Sequence, residues 1–150
     1  MNNPLVEKVK RELEQVGIRS AQLMRESYDE KSFGNALAVF KVGNLHLSFA
    51  RDRGDDTLSF LNPNDENELY TFDDMSLVMG WESLDSMMEE VEKARDFSQP
   101  PPGPIPLSNA LGLIRKDYEQ LQRMFLPSQI NATVAALGDA SRERCKAMFG

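Results

Sequence analysis

Residues 36–62 read ALAVFKVGNLHLSFARDRGDDTLSFLN, and this stretch decides the fold. Leu45, Leu47 and Phe49 alternate with His46, Ser48 and Ala50, the period of two that turns one face of a strand toward a core and the other outward. Gly43-Asn44, just before that run, is a two-residue hairpin loop with the glycine-first chemistry of a type II′ turn. Working outward, Ala36–Val42, Leu45–Arg51, Thr57–Leu61 and Glu68–Phe72 are short β-prone runs. Arg53-Gly54-Asp55-Asp56 and Asn62-Pro63-Asn64-Asp65 supply the intervening turns. Residues 18–28 read weakly as a further strand, with Ala21 and Leu23 alternating against polar neighbours; a helix holding Leu23 and Met24 is the competing reading. The expectation is an antiparallel β-meander of three to five strands with one face to cover.

Helices should cover it. Asn3 suits an N-cap, Pro4 the first helical position and Gly17 a stop. Leu5, Val9, Leu13 and Val16 form one stripe on the helix between them. Beyond the sheet, Asp73 or Asp74 should cap a short helix through Met79 that ends at Gly80, and Ser83 a second containing Leu84, Met87, Met88 and Val91. SQPPPGPIP, residues 98–106, holds five prolines and a glycine and reads as a semi-rigid connector. Two helices should follow, at 107–125 with the stripe Leu111, Ile114, Tyr118, Leu121 and Phe125, and at 127–149 with Ile130, Val134, Leu137, Met148 and Phe149. The 44 residues after the connector are few for a separate core, so the expected organisation is a single α+β domain over 1–150 whose C-terminal helical pair packs back.

Composition narrows function more by exclusion than by motif. The chain has 150 residues and a formal charge of -7, which opposes binding to phosphate backbones and so to nucleic acid. No apolar run approaches the ~18 residues of a membrane span, and the N-terminus mixes charges where a signal peptide needs an apolar stretch. With the lone Cys145 unable to form an internal disulfide, the expected compartment is the cytoplasm. One histidine and one cysteine make a zinc centre or a nucleophilic dyad an unsuitable reading, and no cofactor is expected. His46 reads as a surface histidine, Cys145 between Arg144 and Lys146 as a helix-surface thiol, and Asp52, Asp55 and Asp56 as turn residues rather than a divalent-ion cluster.

Charge distribution is more telling. Residues 54–92 hold 12 carboxylates and no lysine or arginine, while both flanks are mildly basic. A solvated face is the plain reading, yet surfaces kept only for solubility intersperse both signs. A one-sign field steers a basic partner. The candidate partner-binding residues are therefore Asp55, Asp56, Asp65, Glu66, Glu68, Glu82, Asp85 and Glu89. Trp81 joins them as a candidate aromatic anchor, although its place at a helix junction favours core packing.

Residues 26–56, with Tyr28-Asp29 before Phe33-Gly34-Asn35-Ala36, a hairpin, and then Arg51-Asp52-Arg53-Gly54, resemble a group of small bacterial toxin-immunity proteins, including those of contact-dependent growth inhibition. Leu69-Tyr70-Thr71-Phe72-Asp73-Asp74 and the ending from Arg142 to Gly150 are similar in style. The resemblance implies a non-enzymatic protein, monomeric or weakly dimeric, that blocks a cognate toxin by tight binding, and the acidic patch implies a basic, nuclease-type toxin. The motif itself reads as scaffold, with Arg51 and Arg53 pairing to Asp29, Asp52 or Asp56. The rival class is an acidic type III secretion chaperone holding an effector segment. A third is an enzyme using Asp52 and Asp55 with a divalent ion.

Overall fold

In the computed structural model, which describes residues 2–98 and 103–149, the chain is an α+β fold in which five antiparallel strands in sequential order carry helices on one face. The first helix, α1, spans Pro4–Gln15. The Asn3 side chain accepts from the Leu5 amide at 3.1 Å, and its own amide donates to the carbonyls of Ser27 and Leu37, so one capping residue both starts the helix and pins it to the sheet. Leu5, Val6, Val9 and Leu13 are buried.

The strands are β1 Ala21–Asp29, β2 Asn35–Val42, β3 Leu45–Asp52, β4 Asp55–Asn62 and β5 Asp65–Thr71. Leu45, Leu47 and Phe49 are fully buried, and the register sets them beside Val42, Phe40 and Ala38 on one side and, for the last two, Phe60 and Leu58 on the other. Phe40 and Phe49 meet edge to face at 6.0 Å. Gly43 has φ +60 while Asn44 stays at negative φ, as a type II′ turn requires. A side chain at Gly43 would also strike Gln122, which bonds the Val42 carbonyl, the Asn44 amide and the Asn44 side chain and so latches this hairpin to the C-terminal helices.

The register leaves Val39, Ser48 and Leu61 on the face away from the helices, yet all three are buried. Four spacings of ~4.8 Å would hold flat edge strands about 19 Å apart, but Arg25 on β1 meets Glu66 on β5 at 3.2 Å, so the sheet is curled.

Several boundaries differ from the sequence reading. The third turn contains only Arg53 and Gly54, both at positive φ, and Asp55 and Asp56 already belong to β4, paired with Asp52 and Arg51. Phe72 ends no strand; it opens α2, Phe72–Met79. Thr71 rather than Asp73 or Asp74 caps that helix. Its hydroxyl accepts from the Asp74 amide and the Asp74 carboxylate accepts from the Thr71 amide, a reciprocal box that places Asp74 one turn inside. Gly80, left-handed, ends α2, and Ser83 caps α3, Leu84–Ala94.

The expected helix over 107–125 is two: α4, Leu107–Lys116, and α5, Tyr118–Met124, separated at Asp117. Aspartate is a weak helix former, and this one accepts the Trp81 indole N–H at 2.6 Å. The last helix, α6, spans Ile130–Phe149; Ile130 and Leu137 are buried, whereas Phe149 is 83% exposed and outside the core. Of the connector at 98–106, residues 99–102 lie outside those described, and Gly103–Pro106 have no regular secondary structure. One apolar cluster takes in Leu5, Leu47, Phe60, Met75, Leu111, Leu121 and Leu137, so the helices after the connector pack into the same core as the sheet.

Ion pairs join the acidic middle of the chain to its basic flanks. Asp56, with a side chain only 7% exposed, accepts from Arg51 through both carboxylate oxygens (2.6 and 2.9 Å) and from Lys8 of α1 at 2.7 Å. Bonds to the Arg51 guanidinium foremost, with Lys8 adding to them, hold the Asp56 carboxyl below the usual aspartate range against the opposing effect of burial. Asp56→Asn should therefore cost about 2 to 3 kcal/mol at neutral pH, measured by urea unfolding, by stranding two cations at a partly buried site. Because the folded pKa lies below the unfolded one, that contribution is complete above the ordinary aspartate range and disappears as pH falls through the depressed value. The gap between wild type and variant should close below about pH 4.

Candidate functional site

The twelve carboxylates of residues 54–92 do not form one surface. Asp55 sits at the β3–β4 turn and Asp65 at the β4–β5 turn, at opposite ends of β4 and about 23 Å apart at ~3.3 Å per residue. Asp56 faces the helices and is consumed by Arg51 and Lys8, which removes it from the proposed partner surface. Glu66 pairs with Arg25, and Glu68 accepts from the Tyr70 hydroxyl and the Asn62 amide. Asp74 is buried and accepts from Arg144 of α6 at 3.1 Å, while the same guanidinium reaches the Thr71 hydroxyl. Glu92 pairs with Arg95. The flanks thus pair with four of the twelve within the chain. Arg51 takes the scaffold role expected of it, with Asp56 as its partner, and the Arg53 amide donates to the Asn35 side chain.

Eight carboxylates stay outside these pairs among the described residues: Asp55, Asp65 and Glu68 belong to β4 and β5, and the other five lie on α2, α3 and the junction between them. Asp73, Glu82, Asp85, Glu89 and Glu90 make no ion pair among the described residues. Asp85 and Glu89 are exposed, one turn apart on α3. Glu82, at the α2–α3 junction, is pushed above the usual glutamate range, first by burial and then by the nearby charges of Glu90 and Asp73, with only the Ser86 hydroxyl at 3.4 Å in compensation. Three carboxylates from two helices and their junction therefore crowd one spot.

Beside them lies a cleft of about 1130 Å³ bounded by α2, α3, Gly103–Pro106 and the end of α6. Phe72, Trp81, Met87, Met88, Leu113 and Met148 give it apolar walls; Asp73, Glu82, Glu90 and Asp96 supply its acidic groups, and Lys93 and Arg144 its bases. Arg144 is already held by Asp74. Trp81 packs against the core, as its place at a helix junction favoured. Its ring stacks on Phe72 at 5.5 Å and its N–H is fixed by Asp117, but the residue is only half-buried and lines the cleft. The core supplies the rigidity an anchor needs.

Asp73, Glu90 and the methionines of this cleft are absent from the sequence-based site. Asp73 and Glu90 carry the same signal as Glu82, membership of the one-sign block; Met148 carries none, since only the docking of α6 brings it there. Elsewhere, Phe33 stands 81% exposed at φ +58 in the β1–β2 loop, and nothing in the fold explains the side chain. His46 is half-buried on the strand face away from the helices, its pKa lowered by burial and by Lys41, and Cys145 is exposed on α6. Among the described residues no group of three His, Cys, Asp or Glu is arranged to hold a metal ion, and no helix is long and apolar enough to cross a membrane. Comparison with protein-family models, curated proteins and solved structures finds no match to this chain.

A carboxyl whose folded pKa lies above its unfolded value opposes folding at neutral pH, and the penalty vanishes as acid protonates it. Glu82→Gln should thus raise the melting temperature at pH 7 by the equivalent of a few tenths of a kcal/mol, given its partial exposure. The difference from wild type should shrink toward zero at about pH 4.

Proposed function

We propose that the chain is a cytoplasmic binding protein of the toxin-immunity kind, which neutralises a basic, nuclease-type toxin by capturing it on the α2–α3 surface. One observation carries the reading. The fold pairs four block carboxylates with bases from both flanks, yet leaves Asp73, Glu82, Asp85, Glu89 and Glu90 without an ion-pair partner among the described residues, on two adjacent helices and their junction beside a cleft with apolar walls. Burial foremost, with the nearby charges of Glu90 and Asp73 adding to it, raises the pKa of Glu82 and so costs stability at neutral pH. A surface that retains such a cost suits an interface whose partner offsets it on binding. Asp85 and Glu89 act as exposed steering charges, and Trp81 as a rigid apolar contact at the edge of the patch. The scaffold need not change shape to present them, since capping at Thr71 and Ser83 fixes both helices.

The partner to test is the product of the adjacent upstream reading frame, purified and mixed with this protein at low salt. Reversal of Asp85 and Glu89 to lysine should slow association by about tenfold, with the difference fading as salt rises. Reversal of Asp55 and Asp65, at opposite ends of β4, should leave the rate within about twofold. Equal sensitivity of both pairs, or of neither, would sink the assignment of the α2–α3 surface, and absence of any complex would sink the immunity reading.

A further inference from the structure

The cleft has a shape and chemistry of its own beyond the exposed acidic face. A helix of ~10 Å diameter and 5.4 Å pitch occupies about 420 Å³ per turn, so a space of about 1130 Å³ is comparable in volume to two to three turns. The walls contributed by α2, α3 and α6 are helices, so they offer no strand edge to which an extended peptide could add. Trp81 is one rigid flat surface, fixed by Phe72 and Asp117. Met87, Met88 and Met148 are unbranched and polarizable, and adapt to whichever apolar side chains arrive. Around them stand Asp73, Glu82, Glu90 and Asp96 against a single base, Lys93, that makes no ion pair among the described residues.

We infer that this cleft receives a short basic amphipathic helix of the partner, its apolar stripe on Trp81 and the methionines and its lysines or arginines toward Asp73, Glu82, Glu90 and Asp96. The inference deepens the binding reading above and rests on it. Apolar side chains at i, i+3, i+4 and i+7 present one stripe over two turns, with flanking cations one position to either side. An acidic or neutral helix of the same shape would fill the space but leave four carboxylates crowded in a drier setting, so charge selects the occupant.

The experiment needs no knowledge of the natural partner. Trp81 is the only tryptophan and therefore reports on the cleft directly. The full chain is titrated with a helical peptide of leucine and lysine, about four turns long, leucines spaced three and four apart, while Trp81 emission is recorded. A saturable spectral change is expected, with affinity falling at least tenfold between about 50 and 500 mM salt. Glu82→Gln with Glu90→Gln should weaken binding about tenfold, whereas Asp55→Asn with Asp65→Asn, the same loss of charge away from the cleft, should cost about threefold or less. Melting curves confirm that both variants fold. The inference is overturned if a glutamate-for-lysine peptide gives the same response, if both charge pairs lose affinity equally, or if emission does not change. Failure here with capture of the upstream product intact removes only the cleft assignment. Peptide binding without that capture removes only the immunity reading.

Discussion

The structure depends on carboxylates of the acidic middle finding bases in the flanks. Two aspartates with buried side chains do most of this. Asp56 joins β4 to β3 through Arg51 and to α1 through Lys8; Asp74 joins the start of α2 to α6 through Arg144. A buried carboxylate without such partners would cost several kcal/mol, so these aspartates make the docking of the first and last helices a condition of burying them. The charge segregation along the chain is in this sense a folding device. Each end of the sequence carries cations that the middle needs, and the two ends close over the same sheet from the same side.

That pairing also narrows the candidate site. Arg25, Arg51, Arg95, Arg144 and Lys8 account for Glu66, Asp56, Glu92 and Asp74. Asp73, Glu82, Asp85, Glu89 and Glu90 are paired by none of these cations, since Arg144, which shares the cleft, is already held by Asp74. A uniform acidic coat would keep the molecule in solution equally well, but would not set charge against an apolar cleft with a tryptophan in its wall. The coincidence of unpaired charge, rigid aromatic and adaptable methionines on one side is what favours recognition over simple solvation.

The meander was legible because its signals are local. Gly43-Asn44 enforces a turn by backbone geometry, and the alternation of Leu45, Leu47 and Phe49 is satisfied by a strand with one buried face. The helix start at Asn3-Pro4 and the stops at Gly17 and Gly80 rest on equally local chemistry. The misread boundaries involve residues whose conformation is decided by a reciprocal or distant partner. Phe72 continues a β-prone run, but Thr71 and Asp74 cap each other and turn the chain into a helix. Asp117 interrupts an otherwise continuous helical stripe where it bonds Trp81, 36 residues earlier. The candidate site was only half legible. One-sign composition pointed to residues 54–92, yet composition cannot tell Asp56, which turns inward, from Asp85, which stays in solvent. Which carboxylates turn inward depends on strand register and on where α1 and α6 dock.

Two kinds of carboxylate must therefore coexist within one stretch of chain, those matched by the molecule's own cations and those left crowded. A side-chain NMR titration that follows every aspartate and glutamate of the folded protein measures this distinction directly. Asp56 is expected to titrate below the ordinary aspartate range and Glu82 above the ordinary glutamate range in the same sample. Ordinary values at both positions would contradict the division on which the fold and the candidate site both rest.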